Sequence, residues 1–292
     1  MNSPLLLFSP AKVNLFLRVL RKRDDGYHDI ITLMQPITLH DEISIEVESG
    51  EGVSVSCDSA DVPDGSGNLA CMAAEAFLKC ADMRKRVKIR IKKNIPVAAG
   101  LGGGSSNAAT VLTGLNGILR AGLSEAELLS IGGRLGSDVP FFMLGGPALA
   151  SGKGTELERV KLPRYRYVLI NPGFKVSTAW AYNNLDLTKE PQNNMLPYSV
   201  GDFNDMERLK DYLVNDIETV TLRKHPEISS LKKALIENGA SAALMSGSGP
   251  TVFGIFREGG AARSACKALK KRLDARHSVF LTEGLEGLLE NA

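Results

Sequence analysis

The stretch Gly100-Leu101-Gly102-Gly103-Gly104-Ser105-Ser106 constrains the fold of this chain more than any other feature. Before it, Val87, Ile89 and Ile91 alternate with Lys88, Arg90 and Lys92 as in a half-buried strand, which Pro96 ends. After it, Ala109, Leu112, Leu115, Ile118 and Leu119 recur at helical spacing from Ser106 until Gly122. A strand therefore runs through a glycine loop into a helix N-terminus. Without Cβ atoms in the way, backbone N–H groups can approach an anion, and the helix adds its positive end, so the physical expectation is a phosphate cradle. Ser105 and Ser106 can donate hydroxyl hydrogen bonds to that anion or cap the helix. The competing reading is a flexible turn followed by an N-cap.

The common nucleotide motifs do not fit this loop. A Walker loop ends in Gly-Lys-Ser/Thr, which is absent. A dinucleotide fingerprint needs a third glycine where Ser105 stands and an acidic residue ~20 positions on, whereas none lies between Ser105 and Glu125. The His-Arg-Asp and Asp-Phe-Gly triplets of protein kinases are missing as well.

Composition removes other classes. With 292 residues, 43% hydrophobic and 23% charged, the chain can bury a full core in one large or two ordinary domains. A net charge of +2 is too small for a broad basic face, so no nucleic-acid partner is expected. The apolar runs at 5–8 and 139–144 fall well short of the ~18–20 residues that cross a bilayer, so no membrane partner is expected either. Lys12 and Asn14 interrupt the first run before a signal-peptide core can form, which makes a cytoplasmic location the expectation. Cys57, Cys71, Cys80 and Cys266 form no CxxC pair and read as reduced core filler. His28, His40, His225 and His277 are scattered, and none sits at zinc-ligand spacing from a cysteine.

Along the chain, residues 5–20 alternate as a strand, with Val13, Leu15, Leu17 and Val19 on one face and Lys12, Asn14, Phe16 and Arg18 on the other. The Asp25-Gly26 turn leads into an antiparallel run of short strands around 30–33, 43–47 and 53–55. Helices are expected over 69–79 and 128–135, the latter opened by a capping box of Ser124 and Glu127, and another starts at Val139-Pro140 with Asp138 at the turn before it. A second unit begins near 156. It contains a strand over 161–171, an irregular connector over 187–205, helices over 206–220 and 228–237, a strand over 242–245, a turn over 246–250, a strand over 252–256 and a basic helix over 261–273.

Three segments, SPAKVNLFL, PVAAGLGGGSSNAA and MSGSGPTVFG, resemble in order and spacing the three motifs of the GHMP small-molecule kinases, which include galactokinase, homoserine kinase, mevalonate kinase and phosphomevalonate kinase. Within that superfamily, PAKVNLFL, the DDGYH turn, GSDVPFF and the Asn215-Asp216 pair resemble the branch whose acceptor is 4-diphosphocytidyl-2-C-methyl-D-erythritol. The resemblance spans nearly the whole chain. It implies a two-domain α+β fold with an N-terminal ATP-binding domain over 1–155, containing a left-handed βαβ crossover, and a C-terminal ferredoxin-like domain over 156–292, with the active site in the cleft. It further implies transfer of the γ-phosphoryl group of ATP, accompanied by Mg2+, to the 2-hydroxyl of that small-molecule acceptor, in the non-mevalonate route to isopentenyl diphosphate.

The family's catalytic lysine falls on Lys12 and its catalytic aspartate on Asp138. Phosphoryl transfer suits such a pair, because a carboxylate can take the acceptor's proton while an ammonium stabilises charge. Without the resemblance, Lys12 would read as a solvated lysine and Asp138 as a helix cap. The nucleotide loop maps onto Pro96, Val97, Ala98, Ala99, Gly100, Leu101, Gly102, Gly103, Gly104, Ser105 and Ser106, with Asn68 and Lys93 matching positions near the adenine. The cytosine is expected between Tyr27 and Tyr182, with Trp180 or Phe174 as other choices for the second ring, while His28 bonds the base edge and Asn14 and Thr178 approach the substrate. No acidic cluster identifies magnesium ligands, and the Ser106 hydroxyl is one candidate. Two alternatives stay open: a homoserine- or mevalonate-type kinase, which has no need of Tyr27-His28, and a silent nucleotide-binding regulator, which would be free to lose Lys12 and Asp138.

Overall fold

A computed structural model describes residues 4–187 and 206–287. Strand β1 (Leu5–Lys22) runs antiparallel to β2 (His28–Ser49), from Leu5 opposite Ile45 to Lys22 opposite His28. On its other edge β2 has two partners: Thr32–Met34 pair with β5 (Ala148–Ser151), and the half from Glu42 to Ser49 pairs with β4 (Lys85–Lys92). β3 (Gly52–Cys57) lies parallel to β4, and β6 (Glu156–Arg159) pairs with β5. Two expectations are corrected here. The segments 30–33 and 43–47 belong to one continuous strand, because a single strand must serve both β5 and β4. The run is also not all antiparallel, because helix α1 (Leu69–Cys80) carries the chain back between β3 and β4, the crossover a parallel pair requires.

Helices α1 and α2 (Gly103–Leu119) pack on this sheet, and α3 (Glu125–Leu135) and α4 (Val139–Leu144) pack against those helices. Phe77, Leu112 and Leu115 meet Ile43, Ile45, Val87 and Ile89 there in one buried cluster. α3 opens with the expected Ser124–Glu127 capping box. α2 begins at Gly103 rather than Ser106, because Gly102 takes a left-handed φ of 73° and turns the chain directly into the helix.

The second sheet contains β7 (Arg166–Asn171), β8 (Ala242–Met245), β9 (Val252–Phe256) and β10 (Ser278–Glu283) in the order β10-β7-β9-β8, all antiparallel. Between β7 and β8 come α5 (Thr178–Asn183), α6 (Met206–Tyr212), α7 (Asp216–Lys224) and α8 (Glu227–Glu237), and α9 (Gly259–Arg272) joins β9 to β10. That is the ferredoxin-like order. The strand expected over 161–171 starts only at Arg166, and the helix expected over 206–220 is two helices. The expected connector 187–205 lies, apart from Leu187, outside the described residues. Because β6 pairs with β5, the first sheet extends to Arg159, past the expected division at 155/156. Among the described residues, no helix is long and apolar enough to cross a membrane.

β1 is the seam between the two units. Ala11, Val13 and Leu15 pack with Tyr167, Leu169 and Phe253 of the second sheet, and the strand is buried without interruption over 9–17. Its polar face is therefore enclosed as well, leaving Lys12 4% and Asn14 2% exposed.

The break between α6 and α7 has a local cause. Asn215 accepts from the Ile217 N–H to cap α7, and its Nδ2 donates to the carbonyls of Met245 at 2.8 Å and Gly247 at 2.7 Å. One side chain thus starts α7 and pins the 246–250 turn to it. Replacing Asn215 by Ala strands two carbonyls and uncaps α7, for an expected loss of about 2–4 kcal/mol. Denaturant unfolding measures this, and a loss under ~1 kcal/mol would mean that water replaces the amide.

Candidate active site

The seam opens into a cavity of about 560 Å³ walled by both units. Pro96, Val97, Ala98, Ala99, Gly100, Gly102, Gly103, Gly104 and Ser105 form one side, with Asn68 and Lys93 beside them and Thr178, Tyr182, Gly247 and Ser248 opposite. The N–H groups of Gly103, Gly104 and Ser105 precede the first intrahelical bond of α2, from Ser106 N to Gly102 O, so they are available to an anion at the helix's positive end. Leu101 and Ser106 are placed differently from their loop neighbours. Leu101 is 1% exposed in the core, and the fully buried Ser106 hydroxyl accepts from Ser9 Oγ at 2.8 Å. Ser106 is thereby removed as a metal-facing hydroxyl, and of the two serines that end the loop it is Ser105 that lines the cavity. No group of three or more His, Cys, Asp or Glu among the described residues could hold a metal ion.

Lys12 and Asp138, 126 positions apart in the sequence numbering, converge through the fold. The Lys12 Nζ lies 2.5 Å from Asn14 Oδ1, 3.1 Å from the Gly100 carbonyl and 3.7 Å from Asp138 Oδ2. Burial pushes this ammonium below the ordinary lysine range, and the Asp138 carboxylate pushes it back up. Asp138 precedes α4 without capping it by its side chain, which leaves the carboxylate facing the cavity. A capping role is therefore not what fixes Asp138 in place.

The 246–250 turn closes over the glycine loop. Ser246 Oγ donates to the Gly100 carbonyl at 2.9 Å and accepts from Asn14 N at 3.2 Å, while Ser248 Oγ and Thr178 Oγ1 share a hydrogen bond of 2.9 Å. Gly100 has a φ of 76°, and a Cβ there would collide with the Ser246 carbonyl. The two loops can meet only because Gly100 has no side chain.

Asp41, absent from the sequence reading, anchors the other side of the loop. Its carboxylate, fully buried, accepts from Lys93 Nζ at 2.5 Å, Asn94 N at 2.8 Å, Ile95 N at 2.9 Å and Asn107 Nδ2 at 2.9 Å. Lys93 therefore reaches the cavity wall as an ion-paired residue. Asn68 caps α1 through Ala70 N and donates to the Pro63 carbonyl, which sets the wall beside it.

A second chamber of about 470 Å³ is lined by Tyr27, His28, Asp138, Lys153, Thr178, Tyr182 and Asn183. The His28 and Tyr182 rings lie 5.1 Å apart at 38°, and Tyr27, 56% exposed, sits beneath the Lys153 ammonium at 5.1 Å. Phe174 instead stacks on His225, and Trp180 carries the Lys224 ammonium over its ring. Of the three candidate rings, Tyr182 is the one in the chamber. Burial holds the His28 imidazole below its usual range, helped by Lys22, and burial likewise raises the Tyr182 hydroxyl, with Asp138 and Asp216 adding to it. His28 is thus neutral near pH 7, able to donate from one ring nitrogen and accept at the other. Lys153 was missed in the sequence because a lone lysine in Ser-Gly-Lys-Gly carries no signal. The Asn215-Asp216 pair is structural here: Asp216 accepts from Arg18 at 2.9 Å and from Val19 N at 2.8 Å, holding β1.

Comparison with known proteins agrees with this geometry. The GHMP kinases N terminal domain matches residues 68–146, and the GHMP kinases C terminal domain matches residues 199–275. The chain is 49% identical over 265 residues to the 4-diphosphocytidyl-2-C-methyl-D-erythritol kinase of Syntrophotalea carbinolica, covering 90% of this chain and 94% of that one. It is 48% identical over 269 residues to the protein of the same name from Geobacter sulfurreducens, covering 92% and 95%. A solved 4-(cytidine 5'-diphospho)-2C-methyl-D-erythritol kinase superposes with a TM-score of 0.78 at 33% identity over 96% of this chain and 99% of that one. A homoserine kinase from Cytophaga hutchinsonii superposes with a TM-score of 0.76 at 22% identity over 99% and 96%, which shows a shared fold alone.

Replacing Asp41 by Asn leaves the Lys93 ammonium buried without its counter-charge, at an expected cost of about 3–5 kcal/mol. Thermal or denaturant unfolding reads this directly. A variant as stable as the parent would show that Lys93 can reach water.

Proposed function

Because the chain belongs to the GHMP kinase family and, within it, to the 4-diphosphocytidyl-2-C-methyl-D-erythritol kinases, we propose that it transfers the γ-phosphoryl group of ATP to the 2-hydroxyl of 4-diphosphocytidyl-2-C-methyl-D-erythritol. The products are the 2-phosphate and ADP, within the cytoplasmic methylerythritol phosphate route to isopentenyl diphosphate. The observation that carries this reading is Asp138, which lines both chambers with the Lys12 ammonium 3.7 Å away.

The loop chamber takes MgATP. Gly103, Gly104 and Ser105 offer their N–H groups to the phosphates, and magnesium enters with the nucleotide as part of the substrate. The second chamber takes the cytidine end: Tyr27 and Tyr182 supply the rings for the base, His28 its edge contact, and Lys153 a cation for the diphosphate. The acceptor hydroxyl then lies at the boundary. Its oxygen attacks the γ-phosphorus, the bond to the bridging oxygen of ADP breaks, and Asp138 takes the proton. Lys12, 3.7 Å from that carboxylate, offsets charge on the transferring group.

ADP release from MgATP with the cytidyl acceptor, and with homoserine and mevalonate as competitors, tests the assignment. Turnover is expected only with the first; turnover with another acceptor would discard the cytidine chamber. Lys12→Ala and Asp138→Asn are each expected to lower kcat by ~10²–10⁴-fold with the fold retained. Tyr27→Ala is expected to raise the KM for the cytidyl acceptor and leave that for ATP unchanged. An unaltered acceptor KM would remove Tyr27 from base stacking.

Activity should also depend on pH through Lys12. Its folded pKa is lowered, so the ammonium loses its proton at a pH below the ordinary lysine range, and kcat/KM should fall there as pH rises. A profile flat up to the ordinary lysine range would contradict this.

A further inference from the structure

The Lys12 ammonium has three oxygen groups around it: Asn14 Oδ1 and the Gly100 carbonyl within hydrogen-bond distance, and the Asp138 carboxylate as an ion-pair partner at 3.7 Å. Two of the three can only accept. The third belongs to an amide, which would present Nδ2 to the ammonium if it turned over.

What prevents that lies one strand away. Thr32, on β2 and 2% exposed, accepts from Asn14 Nδ2 at 2.8 Å and donates its hydroxyl hydrogen to the Phe16 carbonyl at 2.6 Å. A carbonyl cannot donate, so the Thr32 hydrogen is committed to Phe16 and its oxygen is left to accept. The β1–β2 register shifts between Asn14 and Phe16, and this bulge brings the Phe16 carbonyl within reach of the Thr32 side chain. The chain of donors therefore has one direction: Lys12 to Asn14, Asn14 to Thr32, Thr32 to Phe16.

We propose that Thr32 is a positioning residue for the phosphoryl transfer, locking the Asn14 amide with its oxygen toward Lys12 and so holding the Lys12 ammonium in its charged form. The inference rests on Lys12 as the cation of the reaction. Among the described residues, Asp138 at the start of α4 is the charged group acting on Lys12. Gly100 from the loop, Asn14 from β1, Gly247 from the 246–250 turn, and Phe142 from α4 beside Gly102 and the lysine stem surround it without another titratable side chain.

The test uses Thr32→Val, which keeps the shape and removes the hydroxyl, with Thr32→Ser restoring it and Thr32→Ala as a second deletion should Val fail to fold. Competitive acetylation of the unliganded protein across pH, read at Lys12 by mass spectrometry, follows the ammonium without any substrate. In Thr32→Val the Lys12 titration should move down by about one pH unit, and in Thr32→Ser it should return to the parent position. With MgATP and the cytidyl acceptor, kcat should fall ~10-fold at neutral pH, its alkaline limb should shift the same way, and the KM for ATP should stay within about two-fold. An unmoved Lys12 titration in a folded Val or Ala variant, or a Ser variant as impaired as Val, overturns the proposal. If the parent protein fails to turn over the cytidyl acceptor, the functional reading falls while the acetylation result still decides the role of Thr32.

Discussion

Burying an ammonium costs several kcal/mol of lost hydration unless each of its N–H groups finds an acceptor, and much of this architecture can be derived from meeting that requirement at Lys12. The acceptors come from three places far apart in sequence: its own strand, the glycine loop and the turn before α4. Bringing them together fixes β1 at the seam, which forces both of its faces to be covered. The second sheet supplies the apolar cover through Tyr167, Leu169 and Phe253. The cleft is what remains where the cover stops.

The loops on either side of that seam are held by opposite means. On the N-terminal side, one buried carboxylate, Asp41, gathers Lys93, two backbone N–H groups and Asn107 of α2, so the glycine loop hangs between charge-assisted anchors. On the C-terminal side the 246–250 turn is held by neutral donors, Asn215 above all, and by close contact with Gly100. The turn thus depends on the loop for its position. A nucleotide bound at the α2 terminus and an acceptor bound near Thr178 touch elements joined through Ser246, Gly100 and Ser248.

Much of the site was legible because glycine runs and their flanking periodicities carry local physical meaning. The strand, loop and helix around Gly100 were readable from residue types, and Lys12 with Asp138 from the resemblance that the three motifs carry. Other parts were hidden for reasons particular to each residue. Asp41 lies between two segments read as separate strands, and a charge inside a strand is ordinarily solvated; only the four donors around it explain its burial. Asn215 starts a second helix inside a stretch read as one, and its partners lie 30 and 32 positions later, out of reach of any local pattern. Thr32 is one polar residue in an apolar strand, and nothing in the sequence says which carbonyl its hydrogen serves. Trp180 and Phe174 competed with Tyr182 until their own partners, Lys224 and His225, accounted for them.

Acceptor choice follows from the division into two chambers. The fold is shared with a homoserine kinase at a TM-score of 0.76, so the fold itself does not discriminate acceptors. The α2 terminus does not either, since what it offers is backbone N–H groups that any phosphate satisfies. On the proposed assignment, discrimination resides in the side chains of the second chamber, where Tyr27, His28, Lys153 and Tyr182 offer planar surfaces, a neutral imidazole and a cation. A small acceptor without a base would leave the buried His28 imidazole unpaired and the rings uncovered, and unpaired polar groups penalise a wrong ligand more strongly than missing apolar contact does. Asp138 lines both chambers with Lys12 beside it, so on the proposed mechanism the pair would serve any hydroxyl delivered to it, the chemistry being general and the delivery specific.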